Sequence, residues 1–155
     1  MALVSARSRR SEKGDVEHYD DEEYDEIPDK TCQFCLMYDE TFTDPVLDMH
    51  WWQDCPMLTR CASCEQVIEI SCLNDHLLHE CDKSYQHKEC PRCHEAIKAS
   101  VFDKHVKRNK CLPARSLDIA NRCPLCHQDI PPGEDGWRTH LLKGRGCPKN
   151  LRTAL

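Results

Sequence analysis

Residues 61–81 read CASCEQVIEISCLNDHLLHEC, and the fold follows from this stretch. Two residues separate Cys61 from Cys64, eleven more precede His76, and another four precede Cys81. Three sulfurs and one imidazole nitrogen at such spacing are the Cys3His set of a closed structural zinc site. Around the histidine the apolar residues take a helical period, with Leu73, His76 and Leu77 on one face. The stretch predicts a hairpin bearing the CxxC pair, then a helix bearing His76 and the last Cys.

Outward from here the pattern recurs. Upstream, Cys32, Cys35, His50 and Cys55 are separated by two, fourteen and four residues. Downstream, Cys90, Cys93, His105 and Cys111 are separated by two, eleven and five, and Cys123, Cys126, His140 and Cys147 by two, thirteen and six. Apolar residues repeat in step with these. Ile68, Ile97 and Ile130 stand four after the second Cys, and Phe42 takes that role in the first unit. Leu47, Leu73, Phe102 and Trp137 stand three before each His, and Trp51, Leu77, Val106 and Leu141 just after it. Helix starts are expected at Asp44-Pro45, with Asp as N-cap, at Ser71, and at Ser100-x-x-Asp103 as a capping box.

The fold class expected is therefore small zinc-stabilised α+β modules: a tandem array of four hairpin-plus-helix (ββα-like) Cys3His zinc fingers. They are placed at residues 31–56, 57–83, 84–112 and 113–150, with a tail at 151–155, and they call for four Zn²⁺ per chain. A rival pairing of Cys61/Cys64 with Cys90/Cys93 as a four-Cys ribbon strands His76, Cys81, His105 and Cys111, and leaves the apolar repeat unexplained.

Composition agrees. Of 155 residues 39% are hydrophobic, but 13 of those are Cys and only 6% of the chain is aromatic, too little for one large core. Units of about 25 residues cannot offset their ordering entropy with three or four side chains each; structural zinc contributes roughly 10–16 kcal/mol and takes the place of a core. No apolar run approaches the ~20 residues of a membrane span, and the N-terminus lacks the apolar stretch of a secretory signal. An odd number of Cys without an export signal points to a reducing compartment and to metal in preference to disulfides.

Charge is distributed in blocks. Residues 1–30 carry ten acids against five basic residues and no Cys, as expected of a disordered acidic leader. Residues 31–81 carry nine acids against Arg60 alone, whereas residues 82–155 carry fifteen basic residues against eight acids. Cys72 is the thirteenth cysteine, expected as a partly buried thiol. His79 is a weaker candidate ligand than His76, and His18, His87, His94 and His127 are expected to face solvent. Linkers at 56–60, 82–89 and 112–122 are short, so a compact, fixed array is expected, with Leu117, Ile119 and Ala120 forming a docked turn.

Catalysis is not indicated: a site with four protein ligands has no open position for an activated water. Nucleic-acid binding is weakly supported. Aligned to two-Cys two-His fingers, the base-reading positions are Thr43, Val46 and Met49; Glu69, Cys72 and Asp75; Lys98, Val101 and Lys104; Gly133, Gly136 and Thr139. None is Arg, Asn or Gln. Three thiolates with one Zn²⁺ add a further negative charge per site, which leaves weak RNA binding by the basic third and fourth fingers as the alternative to protein docking.

The phrases TCQFC (31–35), LDMHWWQDCPMLTRC (47–61), VIEISCLNDHLLHECDK (67–83) and NRCPLCHQDIPPGEDGW (121–137) resemble the zinc-finger array of the centrosomal 104 kDa protein family, proteins of the ciliary tip. The resemblance covers residues 31–153 and implies the same four ligand quartets. It further implies a protein-binding module of centrioles and cilia that engages a NimA-related kinase and a distal-centriole capping protein. Cys72 departs from that pattern, which leads one to expect Ser. Tubulin binding through the family's TOG domain does not carry over. The expected docking surface is the exposed helix faces around Trp52, Leu78, Lys104, Lys107 and Arg108.

Overall fold

The structure, a computed structural model, describes residues 26–152. The expected leader therefore lies outside the described residues up to position 25, and so does His18. Three two-stranded antiparallel hairpins carry the second to fourth CxxC pairs at their turns. β1 (Leu58–Arg60) pairs with β2 (Val67–Glu69), β3 (His87–Glu89) with β4 (Ala96–Lys98), and β5 (Asn121–Arg122) with β6 (Asp129–Ile130). In the first finger the hairpin shrinks to a single bridge, Thr31 to Tyr38. Each is followed by a helix: α1 (Asp44–Met49), α2 (Leu73–Asp75), α3 (Ala99–Arg108) and α4 (Gly133–Leu142).

α1 begins one residue earlier than its sequence suggests. Thr43 is the N-cap in extended conformation, and the Leu47 N–H donates to its carbonyl at 2.8 Å. Asp44 and Pro45 instead occupy the first turn, which suits a carboxylate at the positive helix end. The expected caps at Ser71 and Ser100 do not form. Ser71 Oγ donates to Glu69 at 3.4 Å, and α3 starts at Ala99 behind Lys98, a residue with no side-chain cap to offer. α4 needs a glycine at its second turn: a Cβ on Gly136 would lie 1.8 Å from the Pro131 carbonyl oxygen.

One apolar cluster links three fingers. Phe42 of the first, Met57, Leu58 and Ile70 of the second, and Ile130 and Leu141 of the fourth are all buried in it. Phe34, Leu47, Trp51 and Trp137 pack against it, with Phe34 edge-on to Trp51 at 5.8 Å. The expected core residue of the second finger, Ile68, is only half-buried, whereas Ile70 is 0% exposed. Its N–H bonds the Met57 carbonyl at 3.0 Å, extending the hairpin beyond the Leu58–Glu69 pair. Residues 56–60, read as a linker, are thus mostly strand and core.

The third finger contributes no buried apolar side chain other than Cys90 and Cys93. Val106, expected inside, is 38% exposed. Polar contacts hold this finger instead. The Ala96 N–H donates to Asn74 of the second finger at 3.1 Å. Buried Glu95 meets His127 at 2.8 Å and Arg122 at 3.7 Å in the fourth. The turn at 117–119 forms, but only Ala120 is buried; Leu117 and Ile119 stay exposed.

The array closes on itself. Asn150 donates to the Pro56 carbonyl at 2.8 Å. The Arg152 guanidinium donates to the carbonyls of Trp51 (3.0 Å), Cys55 (3.4 Å) and Trp52 (2.5 Å), at the end of the first finger's helix. Helix ends leave such carbonyls without partners, so the residues beyond the last ligand act as a clasp between fourth and first fingers.

Candidate metal centres

The CxxC pairs have the same local geometry four times. The N–H of Leu36, Glu65, His94 and His127 donates to the carbonyl of the first Cys of its pair, at 2.8 Å in each case. Those four residues all have left-handed backbone (φ 59, 64, 57 and 60). The N–H of each first Cys returns a bond to the carbonyl five residues on, at 2.8–3.1 Å. The backbone thereby folds into a tight knuckle that points both sulfurs the same way, at the cost of a conformation that side-chain-bearing residues disfavour.

The second half of each cluster explains the variable spacing after the His. Positions five apart on an α-helix point about 140° away from each other. In the first two fingers the helix widens into a π-helical turn, His50–Asp54 and His76–Glu80. There the Cys55 and Cys81 N–H groups bond the His50 and His76 carbonyls at 2.7 Å. That i→i+5 bond brings His and Cys to the same side. α3 stays α-helical through Arg108 and stops at Asn109 in left-handed conformation, so Cys111 returns one residue later. After α4, Gly144 and Gly146 turn the chain, and Cys147 returns two residues later. The last Cys, expected on the helix, is thus just past its end in every finger.

The structure gathers the side chains into four clusters: Cys32, Cys35, His50 and Cys55; Cys61, Cys64, His76 and Cys81; Cys90, Cys93, His105 and Cys111; Cys123, Cys126, His140 and Cys147. In each, the four donor atoms lie within 4.8 Å of one another. First and last Cys sulfurs are 3.9 Å apart in the first cluster and 4.0 Å in the others. Second Cys sulfur to His Nε2 is 3.4, 3.3, 3.6 and 3.5 Å in order. A tetrahedron with Zn–S and Zn–N bonds of standard length has edges of about 3.8 and 3.6 Å. A disulfide needs sulfurs about 2.05 Å apart, and all thirteen cysteines are free.

Electrostatics also call for a cation. Burial pushes Cys93 up to about 12, and its neighbour Cys90 adds to this. Burial opposes ionisation of Cys90 too, yet the N–H groups of Cys93 and Arg92 prevail and hold it at about 6. Burial likewise raises Cys123 to about 12 and Cys64 to about 11. In the first cluster the contact with Cys35 leads those that lower Cys32, and the contact with Cys32 leads those that raise Cys55. In the first three clusters one thiol is held below its usual range, whereas in the fourth burial raises Cys123, so three thiolates side by side call for a positive ion between them. Burial lowers His76 and His140, keeping the imidazole neutral as a ligand must be. The donor set, its closure and its distances fit Zn²⁺, four ions per chain.

Outside the quartets, His94 and His127 are exposed as expected, whereas Cys72 and His87 differ from their expected settings. His79 is exposed. Cys72 is exposed, with only Ser71 Oγ at 3.7 Å, because it lies on the outer side of the turn that buries Ile70. His87 is half-buried, and its Nδ1 has no hydrogen-bond partner. His94 and His127 are exposed at the ring yet bonded to Glu89 (2.7 Å) and Glu95 (2.8 Å). Trp52 packs between units: the Arg60 guanidinium sits over its ring at 4.8 Å.

Comparison with known proteins agrees with this geometry. The family described as "Centrosomal protein CEP104, ZnF" matches residues 31–142. The centrosomal protein of 104 kDa from Rattus norvegicus is 49% identical over 132 residues, 82% of this chain and 14% of that protein. Its Homo sapiens counterpart is 48% identical over 124 residues, 80% of this chain and 13% of that protein. An uncharacterised Caenorhabditis elegans protein is 30% identical over 107 residues, 68% of this chain and 21% of that protein. The chain thus spans about a seventh of the length of its vertebrate relatives. Since the matched span runs from the first knuckle to the fourth histidine's helix, the chain belongs to the CEP104 zinc-finger family.

Proposed function

We propose that the sixteen clustered side chains are the ligands of four structural zinc ions, and that the array is a non-catalytic platform for docking proteins at the centrosome. The observation that carries this reading is the closure of every cluster. Four protein donors converge at tetrahedral distances, so each ion's coordination is used up in building shape. The units are taken as 31–56, 57–83, 84–112 and 113–150. The named relatives are centrosomal, and the reading extends to centrioles and cilia, with a NimA-related kinase and a distal-centriole capping protein as partners. No helix among the described residues is long and apolar enough to cross a membrane.

Docking is assigned to the outward face of α3, where Lys104, Lys107 and Arg108 are exposed, with Trp52 and Leu78 on the earlier fingers. Affinity purification from ciliated cells tests it, with a zinc-ligand variant as control. Reversing the three basic residues to Glu lowers recovery of the kinase or capping protein about tenfold or more while zinc content stays unchanged. Recovery that survives both this change and Trp52→Ala overturns the surface. The same exposed cations favour RNA as a second reading. Binding to unrelated RNAs that falls steeply with salt would support it, and no binding at low salt removes it.

A further inference from the structure

Most arginines of the described array have partners. Arg60 lies over Trp52, Arg92 bonds Asn109 and the Cys111 carbonyl, Arg122 bonds Asp129, and Arg138 bonds Glu134. Lys104, Lys107, Arg108 and Lys110 differ. All four are exposed, and no described side chain pairs with them. On α3 the first three stand at i, i+3 and i+4, so they share one face and repel each other. The negative end of the helix offsets part of that repulsion. Val101, a turn before Lys104 on the same face, is 48% exposed. The face is a basic stripe with an exposed apolar residue at its N-terminal end.

The same chain carries the complement. Residues 15–26, DVEHYDDEEYDE, hold eight carboxylates and two tyrosines with no basic residue but a His. Ile27, where this segment joins the array, lines a groove against the first and fourth fingers. Asp15 is twelve residues from Ile27, a tether of up to about 40 Å when extended. The first two fingers, with nine acids against Arg60, repel the segment. We propose that residues 15–26 dock within their own chain on the basic stripe formed by Lys104, Lys107 and Arg108 of α3 and Lys110 just beyond its end, carboxylates on the cations and Tyr19 or Tyr24 against Val101. Lys143, Arg145 and Lys149 form a second basic group, but on a loop turned by two left-handed glycines, without helical spacing. The occupied stripe admits only a partner that displaces the leader. This inference concerns the chain alone, so a failed partner purification leaves it standing, and its own failure leaves the docking reading standing.

Zero-length carbodiimide cross-linking of the zinc-loaded 155-residue chain, as an equal mixture of ¹⁴N and ¹⁵N protein, tests it. The expected cross-links join carboxylates of 15–26 to Lys104, Lys107 or Lys110, in same-isotope pairs. They fall about fivefold or more in roughly 0.5 M salt, and likewise with Asp20→Asn, Asp21→Asn, Glu22→Gln and Glu23→Gln together. Mixed-isotope pairs would mean that a second copy's leader is the occupant and would overturn the proposal. So would cross-links mainly to Lys143 or Lys149, an even spread over all lysines, or none.

Discussion

The third finger and the other three solve the same problem with different chemistry. The first, second and fourth bury Phe42, Met57, Leu58, Ile70, Ile130 and Leu141 in one shared cluster. The third buries Cys90, Cys93 and the carboxylate of Glu95, and contacts between Ala96 and Asn74 and between Glu95 and Arg122 and His127 join it to its neighbours. Metal fixes each finger internally in either case. What differs is the joint between fingers: oil in one part of the array, ion pairs in the other. An apolar joint is insensitive to salt and pH; a polar one responds to both.

The comparison breaks most sharply at Ile70. Ile70→Ala opens a cavity shared by two or more fingers and costs about 2–5 kcal/mol, whereas Ile68→Ala, at a half-buried site, costs clearly less. Thermal unfolding of the zinc-loaded chain ranks them, and equal losses would contradict the shared core. Next comes Glu95→Ala, which removes hydrogen bonds to charged groups worth roughly 1.5–3 kcal/mol. It frees the third finger from the fourth without loosening the first from the second, and interfinger NMR contacts report this. Glu95 holds His127 above its ordinary pKa. The link is therefore at full strength below about pH 6.5 and fades as pH rises through the elevated value. A joint that tightens with rising pH would contradict this. The smallest effect is at a feature all four fingers share: Glu65→Gly relieves a left-handed residue at φ 64 and raises stability by up to about 1 kcal/mol.

Much of this was legible in the sequence, because ligand chemistry imposes spacing and the spacing repeats. Comparison of repeats finds what units have in common and hides what is private to one. Ile70 stands six residues after Cys64, where the third and fourth units have Ala99 and Pro132, so the repeat drew attention to Ile68. Met57 and Leu58, which have no apolar counterparts at Gln86 and His87, were the available signal. The left-handed knuckle residues are Leu, Glu, His and His, not Gly, so nothing in their identity announces the turn. The different His-to-Cys spacings were visible as numbers, but their meaning as three ways of ending a helix needed coordinates. Arg152 lies beyond the last ligand, and a guanidinium capping three carbonyls of a distant finger leaves no sequence pattern.

Four mixed-ligand centres are the claim on which the rest depends, and native mass spectrometry of the folded chain, paired with the thiolate-to-cobalt absorption of a Co²⁺-substituted sample, tests it most directly. The account predicts four metal ions per chain, each tetrahedral with three thiolates and one imidazole, and loss of all folded structure across residues 31–150 on chelation. Two or fewer ions in a fully folded chain, four-thiolate spectra, or oxidised cysteines in place of metal would contradict it.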